Sequence, residues 1–103
     1  MREIAERFLQ AEHKESLWQN DQTAVELLEY VYNGGIWDRQ HKERIMQIRD
    51  KPFDTLALQE VYTYLTAIIG GERINEGLYD RMIQNGTIAK LLERYLALTE
   101  AEQ

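Results

Sequence analysis

Among residues able to do chemistry, the run Gly70-Gly71-Glu72-Arg73 comes first. Glycine-rich backbone ahead of a helix can aim N–H groups at an anion, and an arginine fork can grip it. The run lacks the Lys-Ser/Thr of a phosphate loop and the spacing of a dinucleotide fingerprint, and Glu72 and Glu76 would repel an anion. Gly70, Gly71 and Arg73 therefore form an anion-binding candidate set against a purely structural reading. In that reading the glycines stop one helix, Arg73 pairs with Glu76 or with another helix, and Gly77 permits close helix packing. Histidine occurs only at His13 and His41, without metal-ligand spacing, although Glu12 and Asp38 could join a carboxylate-rich site. His41 reads as a buried, hydrogen-bonded histidine or as one at a core edge. Ser16, the sole serine, lies in a charged run with no nucleophile elbow. The expectation is no metal, no organic cofactor and no catalytic centre. The enzymatic alternative is a carboxylate-based site, for which Glu72, Arg73, Glu76 and His41 would be the first positions to change.

Charge narrows the partners. Twelve basic against eighteen acidic side chains leave a formal charge of −6, which disfavours long-range attraction to nucleic acid or anionic lipid. The distribution is uneven. Within residues 36–51, Arg39, Lys42, Arg44, Arg49 and Lys51 outnumber Asp38, Glu43 and Asp50, so that this stretch alone is net positive. Trp37 adds an aromatic anchor there, and Trp37, Arg39, Lys42 and Arg44 are the interaction candidates for an acidic partner. Residues 76–98 have the outline of a helix-turn-helix bent at Asn85-Gly86. The second helix offers only Lys90 and Arg94 to DNA, with Glu93 between them, so an α-hairpin is the better reading. No cysteine is present, which removes disulfides, thiolate nucleophiles and Cys-based metal sites. The charged start, Met1-Arg2-Glu3, does not read as a signal peptide, and no apolar run approaches the ~20 residues needed to span a bilayer. A cytoplasmic, non-membrane protein is expected.

The elements that must position these residues are helical. Length and a 44% hydrophobic share suit one packed domain over residues 1–98, with a frayed polar tail at 99–103. Ile4, Phe8 and Ala11 recur at helical spacing in a first segment ending before Trp18. Asn20 or Asp21 can cap a second, in which Ala24, Leu27, Leu28 and Val31 form the stripe and Asn33-Gly34-Gly35 the stop. A third segment, 36–49, aligns Trp37, His41, Ile45 and Ile48, with Asp38 one turn before Lys42; its glycine-rich entry leaves a loop as the alternative. Asp54 offers an N-cap, with Phe53 and Leu58 as a hydrophobic staple, for a fourth helix carrying Leu58, Val61, Tyr62, Leu65, Ile68 and Ile69. This helix is expected at the centre of the core, stopped by Gly70-Gly71. A fifth, from Glu72 or Asn75 to Gln84, places Ile74, Leu78 and Met82 on one line beside Tyr79 and Ile83. Thr87 can cap a sixth through Ile88, Leu91, Leu92, Tyr95 and Leu96. The pattern predicts an all-α fold: a compact orthogonal or up-down bundle of five to six helices with little or no sheet.

The run 66–78, Thr-Ala-Ile-Ile-Gly-Gly-Glu-Arg-Ile-Asn-Glu-Gly-Leu, followed by Gly86 and Leu91-Leu92-Glu93-Arg94-Tyr95, resembles the C-terminal signature of a bacterial family of small proteins of unknown function. Arg73 and Gly77 match that signature, while Ile74 stands where an aromatic is usual. The resemblance covers about 40 residues. It implies a bacterial or phage origin and a helical domain, and carries over no catalytic or binding residue. The functional expectation is a non-enzymatic protein–protein interaction or regulatory module that binds another protein or its own copy. Aromatics beyond the needs of the helix stripes, Trp18, Trp37, Tyr30, Tyr32, Tyr62, Tyr64 and Tyr79, support it. The alternative outside that class is a DNA-binding accessory protein using residues 36–51.

Overall fold

The computed structural model describes residues 1–100, and over them the chain forms six α-helices and no strand. They are α1 (Arg2–Gln10), α2 (Gln22–Asn33), α3 (His41–Ile48), α4 (Leu58–Gly71), α5 (Leu78–Gln84) and α6 (Thr87–Glu100). Single 3₁₀ turns at Trp18–Asn20 and Phe53–Thr55 join α1 to α2 and α3 to α4. This is the all-α bundle that the apolar periodicity predicts. As expected, α4 is central: it packs against α2, α3, α5 and α6, while α1 packs on α2 and α6. Its Val61, Leu65 and Ile69 are fully buried, with Phe8, Leu27, Ile88, Leu91 and Leu92 around them. Each such side chain withdrawn from water contributes about 1.5–3 kcal/mol toward the entropy cost of ordering the chain.

Local chemistry explains most boundaries. Asp21 caps α2, its carboxylate accepting from the Thr23 and Ala24 N–H groups at 3.1 and 3.3 Å. The Asn85 side chain accepts from the Thr87 N–H at 2.9 Å, so Asn85 rather than Thr87 serves the start of α6. Ala57, not Asp54, is the cap position of α4; the Glu60 carboxylate reaches back to its N–H at 2.8 Å. Leu56 and Val61 then occupy the two staple positions, both fully buried, and Phe53 belongs to the preceding 3₁₀ turn.

Two segments are shorter in helix than their sequence periodicity predicts, and one is longer. Residues 36–40 are not helical, so Trp37 and Asp38 precede α3. Residues 72–77 form turns, and Gly77 enters α5 at φ +93°, a left-handed conformation that glycine adopts without strain. Its role is this turn, not close helix packing. Ile74, expected on the buried line of α5, is 83% exposed; the buried line is Tyr79 and Ile83. At the other end α6 continues through Thr99 and Glu100, which the sequence places in the tail; Thr99 is held by its hydroxyl to the Tyr95 carbonyl at 2.9 Å. The remainder of that expected tail, 101–103, lies outside the described residues. Among the described residues no helix is long and apolar enough to cross a membrane.

Candidate functional site

The site is built on the outer surface of α4, between α3 and α5, which both pack on it. Beyond its buried stripe α4 presents a second line, Tyr64, Ala67 and Gly71, at helical spacing. Because Ala67, Gly70 and Gly71 are small, they leave a trough instead of filling it. A depression of about 380 Å³ is lined by Ile45 of α3, Phe53, Tyr64, Ala67 and Ile68 below, and Leu78, Met82 and Asn85 of α5. It adjoins one of about 240 Å³, which shares Ile45 and Ala67 and adds His41, Lys42, Gly70, Gly71 and Ile74. Three large apolar side chains are exposed, Leu17, Met46 and Ile74, and of these Ile74, at 83%, lines the smaller depression.

The banks are fixed from within. Asp38 is buried at 6% exposure, and its carboxylate accepts from Thr63 Oγ1 at 2.5 Å, the Gln40 N–H at 2.9 Å and Arg44 Nη1 at 3.3 Å. Burial pushes the Asp38 carboxyl up, but these donors outweigh it and hold the group below its ordinary value. Asp38 therefore ties the start of α3 to α4 and does not pair with Lys42 as helical spacing predicts. Trp37 stacks on Tyr32 at 5.0 Å and meets the His41 ring edge-on at 5.5 Å. A Cβ placed on Gly70 would lie 3.0 Å from Trp37 Cη2, so this glycine is the notch that seats the indole. His41 Nδ1 bonds the Asp38 carbonyl at 2.9 Å, a residue at the edge of the core. Tyr64 donates its hydroxyl to the Arg49 carbonyl at 3.0 Å, which closes the far end of α3.

Gly70 and Gly71 lie in the last turn of α4, not ahead of a helix. The amides that open toward an anion belong to Gly77 and Tyr79, and the Glu72 carboxylate accepts from both, at 2.9 and 2.8 Å. The chain thus supplies its own anion at the start of α5. Arg73 lies over the Tyr32 ring at 5.0 Å rather than beside Glu76. Of the four interaction candidates, Arg44 is held by Asp38 and by Gln40 Oε1, and Trp37 is half-buried in ring contacts, whereas Arg39 and Lys42 are exposed. Of the other aromatics read as surplus, all but Tyr30 also serve the interior. Trp18 packs on Tyr79, whose buried hydroxyl donates to the Ala24 carbonyl, and Tyr62 lies beside Tyr95.

A larger depression of about 440 Å³ lies between Phe53 and α6. Its cations are already engaged, Lys90 over the Phe53 ring and Arg94 on the Leu56 carbonyl, and Asp54 and Glu93 mix the charge. Among the described residues no three His, Asp or Glu side chains gather as metal ligands. The trough residues Tyr64, Ala67, Met82 and Asn85 were not singled out from the sequence as a site. The legible signal was the second line on α4, where small and aromatic residues recur off the main stripe.

A family model described as "Family of unknown function (DUF6508)" matches residues 2–101, which includes the amino-terminal half where the sequence shows no family feature. No curated protein and no solved structure matches the chain.

Proposed function

This chain belongs to the DUF6508 family of unknown function, and on that premise we propose that it is a non-enzymatic interaction or regulatory module of the bacterial cytoplasm. It works by presenting the α3–α4–α5 face to another protein or to its own copy. The observation that carries the reading is the apolar trough with the large apolar side chain of Ile74 left in solvent on its border. An exposed apolar surface of this kind, with polar residues at its border, is where proteins dock. Arg39 and Lys42 give the face its charge, and Trp37 and Arg44 hold it in shape.

The experiment follows from the exposure of the key positions. Sedimentation of the purified protein and capture from its native host are compared between the parent and a Met46→Glu, Ile74→Glu variant. A dimer, or a specific partner, lost in the variant while the thermal melt is unchanged is the expected result. Trp37→Ala is less informative, because the indole also packs on Gly70 and Tyr32. A monomer with no partner that is nonetheless retained on DNA, in a salt-sensitive way abolished by charge reversal at Arg39 and Lys42, overturns the reading in favour of a DNA-binding accessory role.

A further inference from the structure

The basic side chains of this acidic protein are not spent evenly. Arg2, Arg7, Lys14, Arg44 and Lys51 are in ion pairs with Glu6, Glu26, Glu12, Asp38 and Glu60. Arg73 and Lys90 lie over aromatic rings, and Arg94 is bonded to the Leu56 carbonyl. Among the described residues the side chains of Arg39, Lys42, Arg49 and Arg81 have no ion-pair, hydrogen-bond or ring partner. Four exposed cations are thus left without a carboxylate partner in a chain that has eighteen carboxylates.

Their positions relate to the trough. On α3 and its cap, Lys42, Ile45 and Arg49 follow i, i+3, i+7, so the two cations share a face with the trough-lining isoleucine. On α5, Leu78, Arg81 and Asn85 follow the same spacing, and Leu78 and Asn85 line the trough. Arg39 stands just before α3. Acids stand near this border too, Glu43, Asp50 and Asp80 being next to Lys42, Arg49 and Arg81 in the chain; burial, and then the charge of Asp50, push the Tyr64 phenol up.

We propose that the trough is a docking groove for an acidic amphipathic helix of another protein, its apolar stripe on Ala67 and Ile45 and its carboxylates on Lys42, Arg49 and Arg81. The proposal rests on the interaction reading and names the partner's chemistry. The polar groups lining the trough are few, chiefly Asn85 and Thr87, since the Tyr64 hydroxyl is already bonded to Arg49. An extended segment would find almost no ladder for its backbone there, whereas a helix satisfies its own. The small side chain of Ala67, shared by both depressions, lets its side chains approach the α4 backbone.

The test uses an 18-residue probe of about five helical turns with leucines at i, i+3, i+4 and i+7 and glutamates on both flanks. Its controls are the same peptide with lysine flanks and a glutamate version carrying two central prolines. Binding is followed by amide NMR shifts of the full chain. The expected result is saturable shifts centred on Ile45, Ala67 and Met82, with affinity about tenfold or more weaker for the lysine peptide. A Lys42→Glu, Arg49→Glu, Arg81→Glu variant of unchanged circular dichroism should reverse the preference. Absence of binding, equal binding of both charges, or equal binding of the proline peptide overturns the proposal. So does a concentration-dependent dimer whose interface shifts fall on the same residues, which assigns the trough to a second copy while leaving the interaction reading intact.

Discussion

His13 Nδ1 lies 2.6 Å from Asp21 Oδ2, and His13 Nε2 lies 2.7 Å from the carbonyl oxygen of Phe8. This imidazole, held at a backbone φ of +48°, fastens the end of α1 to the cap of α2. Asp21→Ala removes the cap and one half of the clamp together, with an expected loss of about 1–2 kcal/mol. Asp21→Asn, which keeps a capping oxygen, should lose less. Urea midpoints of the two variants check this, and equal losses would assign the effect to His13 alone.

Asp38 gives a larger effect. Replacing it with alanine leaves Thr63 Oγ1, the Gln40 N–H and Arg44 without their acceptor, at an expected cost of about 3–5 kcal/mol. Thr63→Val removes one donor and should cost about 1–3 kcal/mol. Because these bonds anchor the start of α3, hydrogen exchange over residues 38–48 should accelerate before that of α4 does. Uniform acceleration would refute the local anchor.

Acid should unfold the protein through the same groups. Burial pushes Asp21 up, but bonds from His13, Thr23 and the Ala24 N–H hold it below its ordinary 3.8; the donors to Asp38 do likewise. Glu60 is held below its ordinary 4.5 by the Ala57 N–H and by Lys51. A carboxyl lowered in the folded state stabilises fully above its unfolded value and loses that contribution as pH falls toward its folded value. Urea midpoints should therefore be flat from pH 7 to 5 and fall below about pH 4. Glu60→Gln should flatten part of the decline, and a midpoint that rises on acidification would contradict the assignment.

The paired glycines should respond oppositely to alanine. Both lie within α4, where alanine gains about 0.5–1 kcal/mol over glycine. At Gly71 the new Cβ meets Leu78 Cδ2 at 2.7 Å, the far end of a flexible side chain that can turn aside. At Gly70 it meets Trp37 Cη2 at 3.0 Å, on a rigid ring stacked against Tyr32. Gly71→Ala should melt at or above the parent temperature. Gly70→Ala should lose about 1–3 kcal/mol to overpacking and melt lower, and its tryptophan emission should shift. Equal melting of the two variants would remove the notch.

What the sequence determined by itself is whatever depends on neighbours within a turn or two. The 3.6-residue stripes of α2, α4 and α6, the Asp21 cap and the break at Asn85-Gly86 are local, and all are present in the structure. The tertiary structure decided the segments where local periodicity competes with distant partners. Residues 36–40 have helical spacing but are not helical. Asp38 is bonded to Thr63, 25 residues away, and Trp37 seats on Gly70 of the same distant helix. Residues 72–77 behave likewise, since Glu72 folds back onto the Gly77 and Tyr79 amides and releases Ile74 to solvent. The candidate site belongs wholly to this second kind. Ile45, Ala67 and Met82 come from three helices, and no spacing along the chain could show that packing α3 and α5 on α4 leaves a trough between them with its cations unpaired.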